Sequence, residues 1–243
     1  MSGDDGVSGL VVPVNNGAIG AVETGAFGAI GCATGSLCYA VGGNRVTAIV
    51  DGVTQGATTA TRFHNIYSID CVSPTRCVVL GDNPNPQGQF VHQAAYGILT
   101  NGVVGRAYTI KANQDFSFDK ISCPSSSNCF AGGSFYGEEG ILARINVNRL
   151  SHSVREDYVY GYTQDIGTGA CPLATTCVFG GYFGLALVRS ATYMNFTGGA
   201  FLTDINAPDV VARTVACASA NECYAAGVSY LDSAGFLQRF SVG

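Results

Sequence analysis

The chain has 243 residues and a net charge of −5, and only 12% of its residues are charged. A length of this size suits one large all-β domain or two ordinary domains. The 47% apolar share argues against a disordered chain, which is typically polar and highly charged. Lys111 and Lys120 are the two lysines and there is no basic run, so no nucleic-acid partner is expected. No apolar stretch reaches the roughly 18 residues of a membrane span.

The chain opens on a polar segment. "MSGDDGVSG" lacks the apolar centre of a signal peptide. We therefore expect residues 1–7 to be a flexible tail and an export leader to have been removed. Residues 8–24 contain the β-prone stretches "GLVVPV" and "AIGAVETG".

All ten cysteines fall into five Cys-x5-Cys pairs, at intervals of 39, 52, 48 and 46 residues. The pairs are Cys32/Cys38, Cys71/Cys77, Cys123/Cys129, Cys171/Cys177 and Cys217/Cys223. A fixed internal period indicates a repeat architecture. Regular, even cysteine spacing is typical of disulfides in exported proteins. Zinc sites use pairs spaced by about two to four residues, and His64, His92 and His152 lie near no pair. We expect five disulfides, and neither a metal nor a cofactor.

The third repeat shows how each unit is built. "FDKISC" predicts a strand, "PSSSN" a turn and "CFAGGSFY" a second strand. "GILARINVN" and "SHSVREDYVYGY" supply a third and a fourth. Four antiparallel strands in about 40–50 residues are typical of a β-propeller blade. The sequence therefore predicts an all-β, five-bladed β-propeller forming a single domain over residues 1–243, with one disulfide closing the first hairpin of each blade.

Two positions after each second cysteine concern packing. The next residue lies on the opposite face of the strand from the cysteine, and we expect it to pack against a neighbouring blade. These residues are Tyr39, Val78, Phe130, Val178 and Tyr224. The glycine four residues after the cysteine is expected where neighbouring blades approach closely.

The last repeat stops at "GFLQRFSVG", which matches a third strand. Its fourth strand is missing. We expect a strand within residues 8–24 to complete the blade that contains residues 217–243, because propellers close by covering their open edges.

The motifs "ISCPSSSNCFAGG" and "IGCATGSLCYAVGG" resemble the SCPSxxxCxAVG repeats of secreted or surface-associated bacterial β-propeller proteins. The resemblance implies a propeller and an exported location, and it supplies no catalytic residues. Repeats two, four and five depart from the full motif.

Three functions are compatible with this sequence. A channel glycosidase needs two carboxylates at a set separation. Asp70, Asp119 and Asp165 share no register relative to their cysteines, and Glu138 and Glu139 lie on a loop, so no catalytic residues are expected. A lectin or adhesin would use aromatic rings in loops that differ between repeats. The candidate ligand-binding residues are Phe135, Tyr136, Tyr182, Phe183 and Tyr230.

The favoured function is a non-catalytic extracellular binding module within a secreted or surface assembly, with a protein or glycan partner. The low charge is typical of buried interfaces, and an oligomer is possible. The lectin is the alternative, and the glycosidase is third.

Overall fold

The structure is a computed structural model. It describes residues 9–11, 14–15, 18–19, 23–25, 27–83, 93–110, 116–135, 139–148, 154–159, 164–173, 176–182, 184–189, 210–219, 221–229 and 234–241. These residues contain 22 strands and no helix. Accordingly, no helix in the described part of the chain is long and apolar enough to cross a membrane. Met1–Thr109 and Ile110–Gly243 form two compact units.

The first unit contains repeats one and two. Its strands are β1 (Gly9–Val11), β2 (Val14–Asn15), β3 (Ala18–Ile19), β4 (Glu23–Gly25), β5 (Ala29–Cys32), β6 (Leu37–Gly42), β7 (Arg45–Val50), β8 (Val53–Thr59), β9 (Asn65–Ser73), β10 (Arg76–Asn83), β11 (Gln93–Thr100) and β12 (Val103–Thr109). Repeat one forms sheet I in the order β5-β6-β7-β8, and repeat two forms sheet II in the order β9-β10-β11-β12. Both are antiparallel meanders.

The second unit contains repeats three to five. Its strands are β13 (Phe116–Ser122), β14 (Asn128–Phe135), β15 (Glu139–Asn146), β16 (Val154–Val159), β17 (Gln164–Leu173), β18 (Thr176–Tyr182), β19 (Gly184–Arg189), β20 (Val210–Ser219), β21 (Glu222–Ser229) and β22 (Gly235–Phe240). Sheet III is β13–β16, sheet IV is β17–β19 and sheet V is β20–β22. A single residue pair, Tyr182 opposite Val211, joins sheets IV and V.

The predicted four-stranded repeat is confirmed in repeats one to three. The described residues of repeats four and five supply three strands each. The number of blades and the single domain over residues 1–243 stay predictions.

Five disulfides close the first hairpins, with the predicted pairing of each cysteine to the next in the chain. Their Cα atoms lie 3.8–4.0 Å apart. Cys32 lies opposite Cys38 in the strand register, and Cys217 opposite Cys223. Each bond closes a short loop, which stabilises the fold by about 2–2.5 kcal/mol on the chain-entropy estimate.

A second set of contacts repeats at the disulfide end of each sheet. The backbone N–H after the third strand donates to a carbonyl in the cysteine turn, from Asp51 to Ser36 at 2.8 Å and from Asn101 to Thr75 at 3.1 Å. The Asp51-Gly52 and Asn101-Gly102 pairs have positive φ throughout. This geometry matches the twist of tight β-hairpins and favours Asn-Gly and Asp-Gly. The sequence thus ties both hairpins of a sheet together at one end.

The glycine four residues after the second cysteine has a role that the sequence misassigned. A Cβ atom on Gly81, Gly133 or Gly227 would overlap a backbone carbonyl oxygen in the first strand of the same sheet. The strand register shifts beside each of these glycines. The expectation that neighbouring blades approach closely here is wrong at these positions, because the bulged first strand of the same sheet occupies the space.

Gly133→Ala is therefore expected to destabilise the protein by about 1–3 kcal/mol, as overpacking typically does. The new methyl group would meet the carbonyl of Ser117. Gly56→Ala is the matched control, since nothing lies within 4 Å of a Cβ at Gly56, and it should change stability by no more than about 0.5 kcal/mol. Denaturant unfolding measures both. Equal effects at the two sites would contradict the bulge explanation.

The N-terminal strands pair with one another in the structure. β1 pairs with β4, and β2 pairs with β3. In sheet V, β22 pairs with β21 and lies at the edge of the described strand order. The expectation that a strand within residues 8–24 completes this blade stays a prediction.

Deletion of residues 1–24 is expected to lower the melting temperature, because it removes the strand that would cover the edge of β22. Deletion of residues 1–7 alone is the control and should have little effect. Thermal unfolding followed by circular dichroism compares the three chains. A 1–24 deletion that melts like the parent would show that this edge is covered in another way.

Candidate interaction surface

The residue after the second cysteine packs against the next repeat. Each sheet has a cysteine face, which carries the disulfide, and a post-cysteine face on the other side. In the first unit, Tyr39 shares a buried cluster with Ile69 and Cys77 of repeat two. A Cβ at Gly31, which lies opposite Tyr39, would be 3.1 Å from the carbonyl oxygen of Ile69.

The same contact recurs twice in the second unit. Phe130 of repeat three packs with Cys177 of repeat four. Val178 of repeat four packs with Cys223 and Val215 of repeat five. The expected packing against a neighbouring repeat is thus confirmed at three of the five positions. Each buried disulfide also forms part of the apolar surface that receives the preceding sheet.

A buried hydrogen bond reinforces the last of these junctions. The backbone N–H of Val215 donates to Oγ1 of Thr168 at 3.0 Å. Thr168 lies on β17 and Val215 on β20, which are the first strands of neighbouring repeats. Because both groups are buried, breaking this bond would leave an unsatisfied polar atom, which typically costs about 1–3 kcal/mol.

The fifth repeat breaks the pattern of burial. Tyr39, Val78, Phe130 and Val178 are each no more than 4% exposed, whereas Tyr224 is 36% exposed. The third strand shows the same contrast. Leu237 lies opposite Ala226, as Val46 lies opposite Val41 and Leu142 lies opposite Gly132. Val46 and Leu142 are fully buried, but Leu237 is 74% exposed.

We call this exposed surface the sheet V face, defined by Glu222, Tyr224, Ala226, Leu237 and Arg239. The Tyr224 hydroxyl donates to Oε1 of Glu222 at 2.9 Å, and this hydrogen bond raises the pKa of Tyr224 above its usual value. Nη2 of Arg239 lies 3.8 Å from the same oxygen. Exposed pairs of this kind contribute little to stability, so the polar groups set the chemistry of the face more than the strength of the fold.

The opposite face of sheet V is buried. Cys223 and Ala225 are fully buried there, and Val215 and Phe240 nearly so. An antiparallel sheet with one open face normally presents polar side chains to water. Sheet V instead exposes a leucine and a tyrosine, which is the kind of surface that marks an interaction site.

The ligand-binding residues expected from the sequence lie largely outside this description. Tyr136, Phe183 and Tyr230 fall outside the described residues. Phe135 and Tyr182 are described only at the backbone, opposite Phe116 and Gln164 respectively. Ligand binding by these five residues stays a prediction.

The candidate carboxylates show no shared arrangement. Oδ1 of Asp70 accepts the backbone N–H of Cys71 at 2.9 Å, which ties this side chain to its own turn. Asp119 lies at the register shift in β13, and Asp165 is described only as a backbone position in β17. Glu138 lies outside the described residues, and Glu139 is described only as the first residue of β15. In the described part of the chain, no group of three or more His, Cys, Asp or Glu residues could hold a metal.

Sequence reasoning missed two features that the structure reveals. Leu237, Glu222 and Arg239 belong to the exposed face, and only their spacing of two residues along each strand could have indicated it. Asp82 is a buried acid whose Oδ1 accepts the N–H of Asn65 at 2.8 Å, with Nδ1 of His64 3.6 Å from its Oδ2. This cluster joins the ends of β9 and β10.

No protein-family model and no curated protein sequence matches the chain. Solved structures do match it. The WD40 repeats of RRP9 align with a TM-score of 0.63 and 12% identity, covering 92% of this chain and 67% of theirs. U3-55K aligns with a TM-score of 0.63 and 11% identity, over 92% and 68%. The WD40 β-propeller domain of Doa1 gives 0.55 and 10%, over 85% and 60%. The chain has the β-propeller fold, and at these identities the likeness concerns the fold alone.

The difference in burial predicts different costs of truncation. Tyr39→Ala should destabilise the protein by about 3 kcal/mol or more, as expected for a buried aromatic side chain. Tyr224→Ala is matched in chemistry and in repeat position, and it should cost no more than about 0.5 kcal/mol. Urea unfolding at a concentration where the protein is monomeric compares the two. A large loss for Tyr224→Ala would mean that the sheet V face is covered in the isolated chain.

Proposed function

We propose that the protein is a non-catalytic interaction module of five blades that works in a secreted or cell-surface assembly. The observation that carries this proposal is the sheet V face. Its leucine and tyrosine occupy positions that in other repeats are buried. Aromatic and large apolar residues held on a rigid scaffold are typical anchors of protein interfaces.

A protein partner fits this face better than a substrate does. The face is the flat side of an antiparallel sheet, with one cation and one anion at its margin. Chemistry would need convergent acids, bases or nucleophiles in a concave site. Flat apolar centres with a charged margin are the usual anatomy of protein–protein interfaces.

The extracellular setting follows from the cysteines. All ten are paired in disulfides. Such bonds persist in oxidising compartments and are rare where thiol reductants are abundant. The disulfides also form part of the repeat junctions, so a reducing environment would weaken the packing that positions the sheet V face.

Site-specific photo-crosslinking tests the proposal in cells that produce the protein. A photoreactive phenylalanine analogue in place of Leu237 is expected to capture a defined protein species. The same analogue in place of Val103, which is 62% exposed on sheet II, is the matched control and should capture none. Mass spectrometry of the product identifies the partner.

Two results would contradict the proposal. One is the absence of any cross-linked protein at position 237, and the other is equal capture at positions 237 and 103. Turnover of a glycoside by the purified protein would also overturn the non-catalytic assignment.

A further inference from the structure

The first repeat has an open surface that mirrors the open face of the last. The residue two positions before each first cysteine lies on the cysteine face. Ile69, Ile121 and Val215 occupy this position in repeats two, three and five, and all are buried. Ile30 occupies it in repeat one and is 49% exposed.

The cysteines of the first repeat follow the same trend. The second cysteine is fully buried in repeats two to five, at Cys77, Cys129, Cys177 and Cys223. Cys38 is only half-buried, and Cys32 is exposed. We call Ile30, Cys32 and Cys38 the first-repeat cysteine patch.

These two surfaces are the two halves of the junction that recurs within the chain. In each described junction, a post-cysteine face covers the cysteine face of the following repeat. The sheet V face is a post-cysteine face that is not covered, and the first-repeat cysteine patch is a cysteine surface that is not covered. The junction between Tyr39 and the Ile69–Cys77 surface therefore provides a template for how they fit.

We propose that the sheet V face binds the first-repeat cysteine patch of a second copy of this chain. The proposal rests on the interaction function proposed above and names the partner of that face. Tyr224 would take the place of Tyr39, and Ile30 and Cys38 would take the places of Ile69 and Cys77. A second copy is the occupant because both surfaces are exposed to solvent in a single chain.

Such a contact joins two different surfaces, so it is heterologous. Heterologous contacts build closed rings or open chains of subunits, whereas two-fold contacts stop at a dimer. The docked copy would also bring its residues 8–24, which directly precede its first repeat, toward the open edge of β22. A strand from these residues could then complete the last sheet across the subunit boundary.

Complementation between two variants tests the arrangement. Leu237→Glu disables the sheet V face, and Ile30→Glu disables the cysteine patch. Light scattering after size-exclusion chromatography should give several times 25.1 kDa for the wild-type protein and a single-chain mass for each variant alone. An equimolar mixture retains one intact copy of each surface, so it should form a particle of two chains. Val103→Glu is the control and should assemble like the wild type.

Each other outcome overturns the inference. A wild-type protein that stays monomeric at every concentration would exclude self-association. If Leu237→Glu then also melts at a lower temperature, the face is covered within one chain. Assembly that survives Ile30→Glu would show that another surface is the occupant. If position 237 cross-links to a different protein while the purified chain is monomeric, the proposed function stands and this inference fails.

Discussion

The structure depends on one repeated contact, in which the residue after a second cysteine packs onto the disulfide surface of the next repeat. Tyr39, Phe130 and Val178 make this contact at the three described junctions. Each sheet has only three or four short strands and could not bury enough apolar surface alone. As in other repeat proteins, stability then comes from the interfaces between neighbouring units as much as from the units themselves.

The disulfides consequently have two roles. They close the first hairpin of each sheet, and their sulfur atoms form part of the surface that the preceding sheet covers. Burial of Cys77, Cys129, Cys177 and Cys223 shows that the second role holds in every repeat after the first. A chain rule that buries both faces of each inner sheet leaves one open surface at each end, and this is where the proposed interaction arises.

Much of the local structure could be predicted from residue patterns. The strands of repeat three, the turns at Asp51-Gly52 and Asn101-Gly102, and the disulfide pairing all follow from short-range chemistry. The role of Gly81, Gly133 and Gly227 could not be predicted, because it depends on a shifted register in the partner strand. The exposed position of Leu237 was equally invisible, since the same alternation places Val46 and Leu142 in the core.

The sequence by itself determined the period, the strand-turn alternation, the cysteine partners and the face on which each post-cysteine residue lies. These are properties of a chain with a side-chain period of two and a fixed spacing between repeats. Only the tertiary structure decided which of those equivalent faces are covered. Tyr39 and Tyr224 have the same residue type and the same place in their repeats, yet one is buried and the other exposed. Burial depends on what lies against a surface, and that is set by the neighbouring repeat rather than by the residues of the strand.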